Sequence, residues 1–369
     1  MDKDKSVIDK LKSQIDTDKF INDIYPVMCP GHQYKPPIFP KVHRIVVLGD
    51  IHGDYNLAID MLKICKLIKI HNDVVLWQGE GTYVVQVGDQ IDRCRPHWNM
   101  LCSQEKTTPN DENNDIKILK LFTDLHSQAE KVGGAVISLL GNHEIMNSMG
   151  SVDYVSYRGM TEFETDIPVS YKEGKERRIK AFKPGNKYGN FLGCSRYPTV
   201  VIGSNLFVHA GIIDALIDEI GLTKRDDDLI TINIAIRMWL LGLLKKKYIK
   251  KFIANSHTSM FWTRILGNIP PNVNISNPVC MKHIDNVIKL FSVGSIFIGH
   301  TPQSFTYNEN INSTCSNKVW RVDNGSSAAF DVFVDANNHN LKHNRRPQVV
   351  EIIGDAIFNV CDMTGCKKA

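Results

Sequence analysis

The sequence predicts an α/β protein built on buried strands, and three observations predict it. Short apolar, β-branched runs recur along the chain, and each stops at a small residue followed by, or directly at, an Asp, Asn or His. After the first run, Leu57, Ala58, Met61, Leu62 and Cys65 share one helical face, with Asp54 placed to cap that helix. Thr199–Ile202 and Leu206–Val208 flank Gly203-Ser204-Asn205 as a hairpin, so the sheet is partly antiparallel.

The runs are Ile45–Leu48 before Gly49-Asp50, Val84–Val87 before Gly88-Asp89, and Val136–Leu140 before Gly141-Asn142-His143. Leu206–Val208 before His209 and Ile296–Ile298 before Gly299-His300 complete the series. Uninterrupted apolar runs of this length read as strands buried on both faces, and strands alternating with helices read as a sheet between helical layers.

Residues 1–40 read as an extension: a short amphipathic helix, then a segment with Pro30, Pro36, Pro37 and Pro40 that cannot enter a sheet interior. Residues 41–360 form the main domain and 361–369 a tail. Within the main domain, 212–290 is an insertion, with an apolar helix near 228–244 and an Asn- and Pro-rich loop near 268–278. The polar stretch 107–115 is expected at the surface, and the basic stretch 172–183 reads as a solvated loop.

Composition narrows the class. An apolar share of 43% and a charged share of 23% exclude disordered and collagen-like chains. The net charge of +4 is spread over 44 basic and 40 acidic residues, too even for a nucleic-acid footprint. Nine scattered cysteines without a C-x-x-C pair predict free thiols in a reducing compartment, with neither a zinc knuckle nor a disulfide scaffold. The N-terminus has charges where a signal peptide needs an apolar core, and the apolar stretch at 234–244 is too short to span a bilayer. The expectation is a soluble, cytoplasmic chain with no membrane partner. Nothing in the sequence indicates its oligomeric state.

Open α/β sheets place ligands at the carboxyl ends of their strands. Here those ends deliver Asp50, His52, Asp89, Asp92, Arg93, Asn142, His143, His209 and His300. Carboxylate and amide oxygens mixed with imidazole nitrogens suit Mn, Fe or Zn, whereas Ca²⁺ prefers an all-oxygen shell. Asp50 and His52 leave one strand end beside Gly53, and Asn142, His209 and His300 arrive from three others, with Asp89 between them. That layout predicts two divalent ions, the arrangement that clamps a phosphoryl group for in-line attack.

The runs GDIHGD (49–54), GDQIDR (88–93), GNHE (141–144), VHAG (208–211) and GHT (299–301) resemble the signature of the calcineurin-like metallophosphoesterases. Within that superfamily they resemble the phosphoprotein phosphatases, and FKPG, MFWTR and VWRVDNGSS are similar to the Shewanella-like branch. The resemblance covers roughly residues 44–358. It implies a β-sandwich of mixed sheets flanked by helices, with a helical insertion near the active site.

The resemblance also implies roles. Asp50 and His52 would hold one metal, Asp89 would bridge, and Asn142, His209 and His300 would hold the second. His143 would be the general acid, oriented by Asp92, while Arg93, Arg264 and Asn142 would grip the phosphate. The implied activity is hydrolysis of phosphate monoesters on phosphorylated proteins or small phosphoesters, with manganese first among the metals and iron or zinc as alternatives. A dinucleotide-polyphosphate hydrolase and a catalytically dead phosphate-binding scaffold remain as competing readings. One departure stands out: the family's GDxxDR motif continues with Gly, whereas here it continues with Cys94. That residue reads either as packed or as a redox-sensitive thiol beside the site.

Overall fold

The computed structural model describes residues 5–97, 99–334 and 339–369. In chain order its strands are β1 (Ile38–Phe39), β2 (Arg44–Leu48), β3 (Ile68–His71), β4 (Val74–Trp77), β5 (Tyr83–Gln86), β6 (Ala135–Leu139) and β7 (Arg196–Tyr197). They continue as β8 (Thr199–Ile202), β9 (Asn205–Val208), β10 (Ser295–Ile298), β11 (Asn312–Thr314), β12 (Val319–Arg321), β13 (Val349–Ile353), β14 (Ile357–Asp362) and β15 (Gly365–Lys368). One sheet runs β1-β8-β9-β10-β12-β11 and the other β15-β14-β13-β2-β5-β6-β7, with β3-β4 a separate hairpin. Both large sheets are mixed: β2, β5 and β6 pair in parallel, whereas β13 joins β2 antiparallel.

Alternation along the strands shows why the apolar runs are continuous. Ile45, Val47, Val85, Ile137 and Leu139 meet Val200, Phe207, Phe297 and Trp320 of the opposite sheet, and this layer is the sandwich core. The intervening residues Val46, Leu48, Val84 and Val136 pack outward against Leu57, Leu62, Ile118 and Phe122 of the helices Tyr55–Ile64 and Asp115–Glu130. Leu206, Val208, Ile296 and Ile298 turn outward from the other sheet into a core shared with the insertion helices. With both faces of each strand covered, both parities are mostly apolar, and the polar exceptions Gln86 and Ser138 are buried and hydrogen-bonded.

The first helix is capped as its sequence implies, the Asp54 carboxylate accepting from the Leu57 N–H at 3.0 Å. The extension packs onto the domain. Ile8 and Leu11 of the helix Val7–Lys12 are buried against the insertion, and β1 adds in parallel to the edge strand β8, where its neighbouring prolines cost no sheet bonds. Residues 361–369 are likewise incorporated, as the end of β14 and the edge strand β15. No helix among the described residues is long and apolar enough to cross a membrane.

Three expectations are corrected. Eight of the nine cysteines are paired, as Cys29–Cys194, Cys94–Cys102, Cys280–Cys315 and Cys361–Cys366, and Cys65 is free and buried. The expectation of free thiols fails because two of these pairs, separated by 165 and 35 residues, meet only through the fold. The basic stretch is the helix Tyr171–Phe182, and its Arg178 is fully buried. The stretch 107–115 is anchored at both ends, with Thr107, Thr108 and Asp115 buried.

Cys29–Cys194 ties the extension to the helix Lys187–Ser195. Replacing both cysteines with serine is expected to cost about 2–5 kcal/mol by releasing a long loop in the unfolded chain. Urea unfolding without reductant measures it. A double variant as stable as the wild type would show that the tether contributes nothing.

Candidate active site

The turns after β2, β5, β6, β9 and β10 converge on one end of the sandwich. Two of them are locked together by their backbones. The N–H groups of Ile51 and His52 donate to the Asp89 carbonyl at 3.0 and 2.9 Å, and the Gly53 N–H donates to that of Gln90. Gly53 sits at φ +71°, and a Cβ there would lie 2.8 Å from that of Arg93, so the close approach requires glycine. His52, Asp89, Asp92 and His300 all adopt left-handed backbone conformations, with φ between 48° and 74°. Such strain gathers at functional sites because the surrounding contacts over-determine it.

Asp89 is the centre of the site. Its Oδ2 lies 3.3 Å from His209 Nε2, 3.8 Å from His52 Nε2 and 3.9 Å from His143 Nε2. Its Oδ1 accepts from the His143 backbone N–H at 2.9 Å. Two groups have the spacing to hold an ion, His52-Asp89-His143 and Asp89-His209-His300, and Asp89 belongs to both. Asn142 Oδ1 is 2.9 Å from His209 Nε2, next to the second group. His209 Nδ1 is 2.9 Å from the Val87 carbonyl, a contact that turns Nε2 toward Asp89 and Asn142. Asp50 Oδ2 accepts from the His300 N–H at 3.0 Å and lies 3.7 Å from His52 Nε2.

The donor set fits two divalent cations on the evidence of its unfilled atoms. Asp50 Oδ1, His52 Nδ1 and Asp323 Oδ2 are buried without a hydrogen-bond partner. Burial, reinforced by Asp323 and Asp89, holds the Asp50 carboxyl well above the usual range. Burial and then the neighbouring Asp89 push Asp323 up to about 6 beside it. Burial would also raise Asp89, but His209, His143 and His52 outweigh it and hold Asp89 well below its ordinary value. Burial, then the Arg95 charge, keeps His52 well below the ordinary imidazole value, so its ring is neutral and able to bind a metal. Asp50, Asp89 and Asp323 bury three carboxyl groups beside these imidazoles, a donor set that divalent cations would complete.

The remaining site residues form a second network. His143 Nδ1 is 2.7 Å from Asp92 Oδ2. Asp92 also accepts from Asn147 Nδ2, at 2.9 and 3.0 Å, and from Arg178 Nη2 at 3.3 Å. Arg178 additionally bridges to Asp115 at 2.7 Å and Asn147 at 2.8 Å. Glu144, fully buried, accepts from the N–H groups of Gly141, Asp89 and Gln90 at 2.7, 3.0 and 2.8 Å, joining two of the turns. Sequence reasoning assigned no role to Glu144, Asn147, Arg178 or Asp323. Glu144 and Asp323 carried a visible signal, their places inside GNHE and VWRVDNGSS, whereas Arg178 carried none.

A cavity of about 560 Å³ opens over this centre, lined by His52, Asp89, Asn142, His143 and His300. The insertion contributes Asn255, Trp262 and Arg264, and Tyr154, Phe330 and Phe333 complete an aromatic rim. Arg264 Nη1 donates to the His300 carbonyl at 2.7 Å. Arg93 is buried, is absent from the cavity lining, and leaves Nε and Nη1 without a partner. Arg95, two residues on, does line the cavity.

Comparison with known proteins agrees with this construction. The model of the calcineurin-like phosphoesterase family matches residues 43–304. A protein of Acanthamoeba polyphaga mimivirus is 39% identical over 251 residues, 65% of this chain and 96% of the relative. Shewanella-like protein phosphatase 2 of Arabidopsis thaliana is 27% identical over 360 residues, covering 88% of this chain and 82% of the relative. The crystal structure of a cold-active protein-tyrosine phosphatase from a psychrophilic Shewanella species superposes with a TM-score of 0.63 at 21% identity, over 91% of this chain and 83% of that one, and so shares the fold. The chain therefore belongs to the calcineurin-like phosphoesterase family, as a phosphoric ester hydrolase similar to the Shewanella-like protein phosphatases.

Proposed function

We propose that the protein is a phosphoprotein phosphatase that works with two divalent metal ions, Mn²⁺ foremost and Fe or Zn as alternatives. The observation that carries this reading is the position of Asp89, whose one carboxylate oxygen is shared by imidazoles from three separate turns. Asp50, His52 and Asp89 would hold one ion, and Asp89, Asn142, His209 and His300 the other. Bound there, such ions activate water near neutral pH and neutralise phosphoryl charge.

The chain's own groups do the rest. His143 would present Nε2 to the leaving oxygen and give up its proton there, with Nδ1 held by Asp92. Arg264, on the cavity wall, would take a phosphoryl oxygen; Arg93, whose Nε and Nη1 are unpartnered but which does not line the cavity, would join it only after a change of side-chain rotamer. Asn142 would offer its amide N–H groups beside them. The aromatic rim accommodates the body of a phosphorylated side chain. The relatives named as protein phosphatases support a phosphoprotein substrate over a nucleotide. The four disulfides favour an oxidising setting, so the expected cytoplasmic location has no support in the cysteine pairing.

The test is phosphate release by metal-stripped protein with Mn²⁺ added back, using para-nitrophenyl phosphate and a phosphopeptide panel beside diadenosine tetraphosphate. The expected result is background activity without metal and turnover of the monoesters with Mn²⁺. Preferred cleavage of the dinucleotide would instead make this a nucleotide hydrolase. No turnover of any substrate by folded, Mn-loaded protein would leave a phosphate-binding scaffold.

A further inference from the structure

Arg95 is the cavity's unassigned cation. It is 7% exposed, yet it lines the cavity beside His52, Asp89 and His143. Its Nη1 donates to the carbonyls of Asp92 and Cys94 at 3.0 and 2.8 Å, which accounts for both hydrogens of that nitrogen. The Nε and Nη2 hydrogens find no acceptor among the described residues. Unlike the enclosed donors of Arg93, these nitrogens are not sealed off, so three of the five donors, with no acceptor among the described residues, open to the cavity, where a doubly charged oxyanion matches them in charge and shape.

Two rings define where those donors lie. The guanidinium carbon is 4.6 Å from the centroid of Phe330 and 5.7 Å from that of Tyr154. Phe330 in turn contacts the His52 ring at 5.4 Å, and Tyr154 contacts the His143 ring at 5.0 Å. Arg95 is thus one ring away from a metal-type ligand on one side and from the proposed acid on the other. Its backbone is held as firmly. The Cys94 N–H donates to the Tyr154 carbonyl at 3.0 Å, and Cys94 is bonded to Cys102, so the turn carrying Arg95 is closed covalently. Such pre-organisation is what an anion-binding group needs to act without reordering.

We propose that Arg95 binds a phosphoryl oxygen of the substrate, as a third guanidinium beyond Arg93 and Arg264. This rests on the phosphoester reading of the site. The residue after GDxxDR is then a cysteine because it staples this arginine into the cavity.

The experiment measures the binding of inorganic phosphate to Mn-loaded protein by calorimetry, which does not depend on turnover. Wild type, Arg95→Met and Arg95→Lys are compared, with manganese content and thermal unfolding recorded for each. Loss of two charge-assisted hydrogen bonds is expected to weaken phosphate binding by roughly 10- to 100-fold in R95M. R95K is expected to retain part of the affinity, since lysine restores the charge without the planar fork. Adding guanidinium chloride in the millimolar range should partly restore binding in R95M, which no purely structural role explains. Phosphate affinity within twofold of wild type, in folded R95M with unchanged manganese, overturns the proposal. Should R95M fail to fold, an affinity within twofold in R95K overturns it equally. Unchanged phosphate binding with a raised KM for phosphopeptides also overturns it, because Arg95 would then contact the substrate beyond its phosphoryl group. If wild type binds phosphate through Arg95 but turns over no monoester, the phosphatase reading fails and this assignment stands.

Discussion

Replacing His143 with alanine is expected to lower kcat for a phosphoserine peptide by about 10³-fold, within the range for loss of a general acid. Para-nitrophenyl phosphate should lose far less, because its leaving group departs as a stable phenolate and needs no proton. The geometry motivates both halves. His143 Nδ1 is bound to Asp92 at 2.7 Å, which leaves Nε2 facing the cavity. That same Nε2 is 3.9 Å from Asp89 Oδ2, within a group whose spacing also suits a metal ligand. Parallel steady-state measurements on the two substrates, with manganese content, separate the roles. Equal losses on both substrates with manganese lost would make His143 a ligand, and the acid assignment would fall.

The second large effect is on stability. Arg178→Met is expected to destabilise the fold by about 3–5 kcal/mol, because it strands buried carboxylates. Arg178 is wholly enclosed, its hydrophobic faces packed near Phe182 and Phe163, with the centroids 5.0 and 5.6 Å from its guanidinium carbon. It serves Asp115 at 2.7 Å, Asn147 at 2.8 Å and Asp92 at 3.3 Å. Burial already pushes the Asp115 carboxyl above its usual range, and the Arg178 charge opposes that push. Combining Arg178→Met with Asp115→Asn removes one stranded charge and should recover part of the loss. Urea unfolding of the two single variants and the double variant gives the coupling directly. A single-variant loss below about 1 kcal/mol would mean that water reaches the site and the pair is not truly buried. Because Asp92 holds His143, the surviving folded fraction should also show lower kcat with little change in KM.

Much of the site was legible because its signals are local. Each apolar run had to end where its strand ended, and the residue types at those ends could be read in order. Asp50, His52, Asp89, Asn142, His143, His209 and His300 are brought together in one centre, and Asp92 meets His143. Arg264 reaches the cavity from MFWTR, whereas Arg93 is buried and does not line it. The basic stretch misled for a physical reason. Its lysines and glutamates are solvated, and nothing in the spacing distinguished Arg178, which faces inward, from its exposed neighbour Arg177.

By itself, then, the sequence determined which strand ends carry the site's turns, the helix Tyr55–Ile64 and its Asp54 cap, and the residue types gathered at those ends. These depend on periodicity, turn residues and side-chain chemistry, which act over a few residues. Only the tertiary structure decided which cysteines pair, that Arg178 and Asn147 support Asp92, and that Arg95 enters the cavity. Those outcomes depend on contacts between residues as much as 165 positions apart, whose free energy exists only once the two sheets and the insertion have packed.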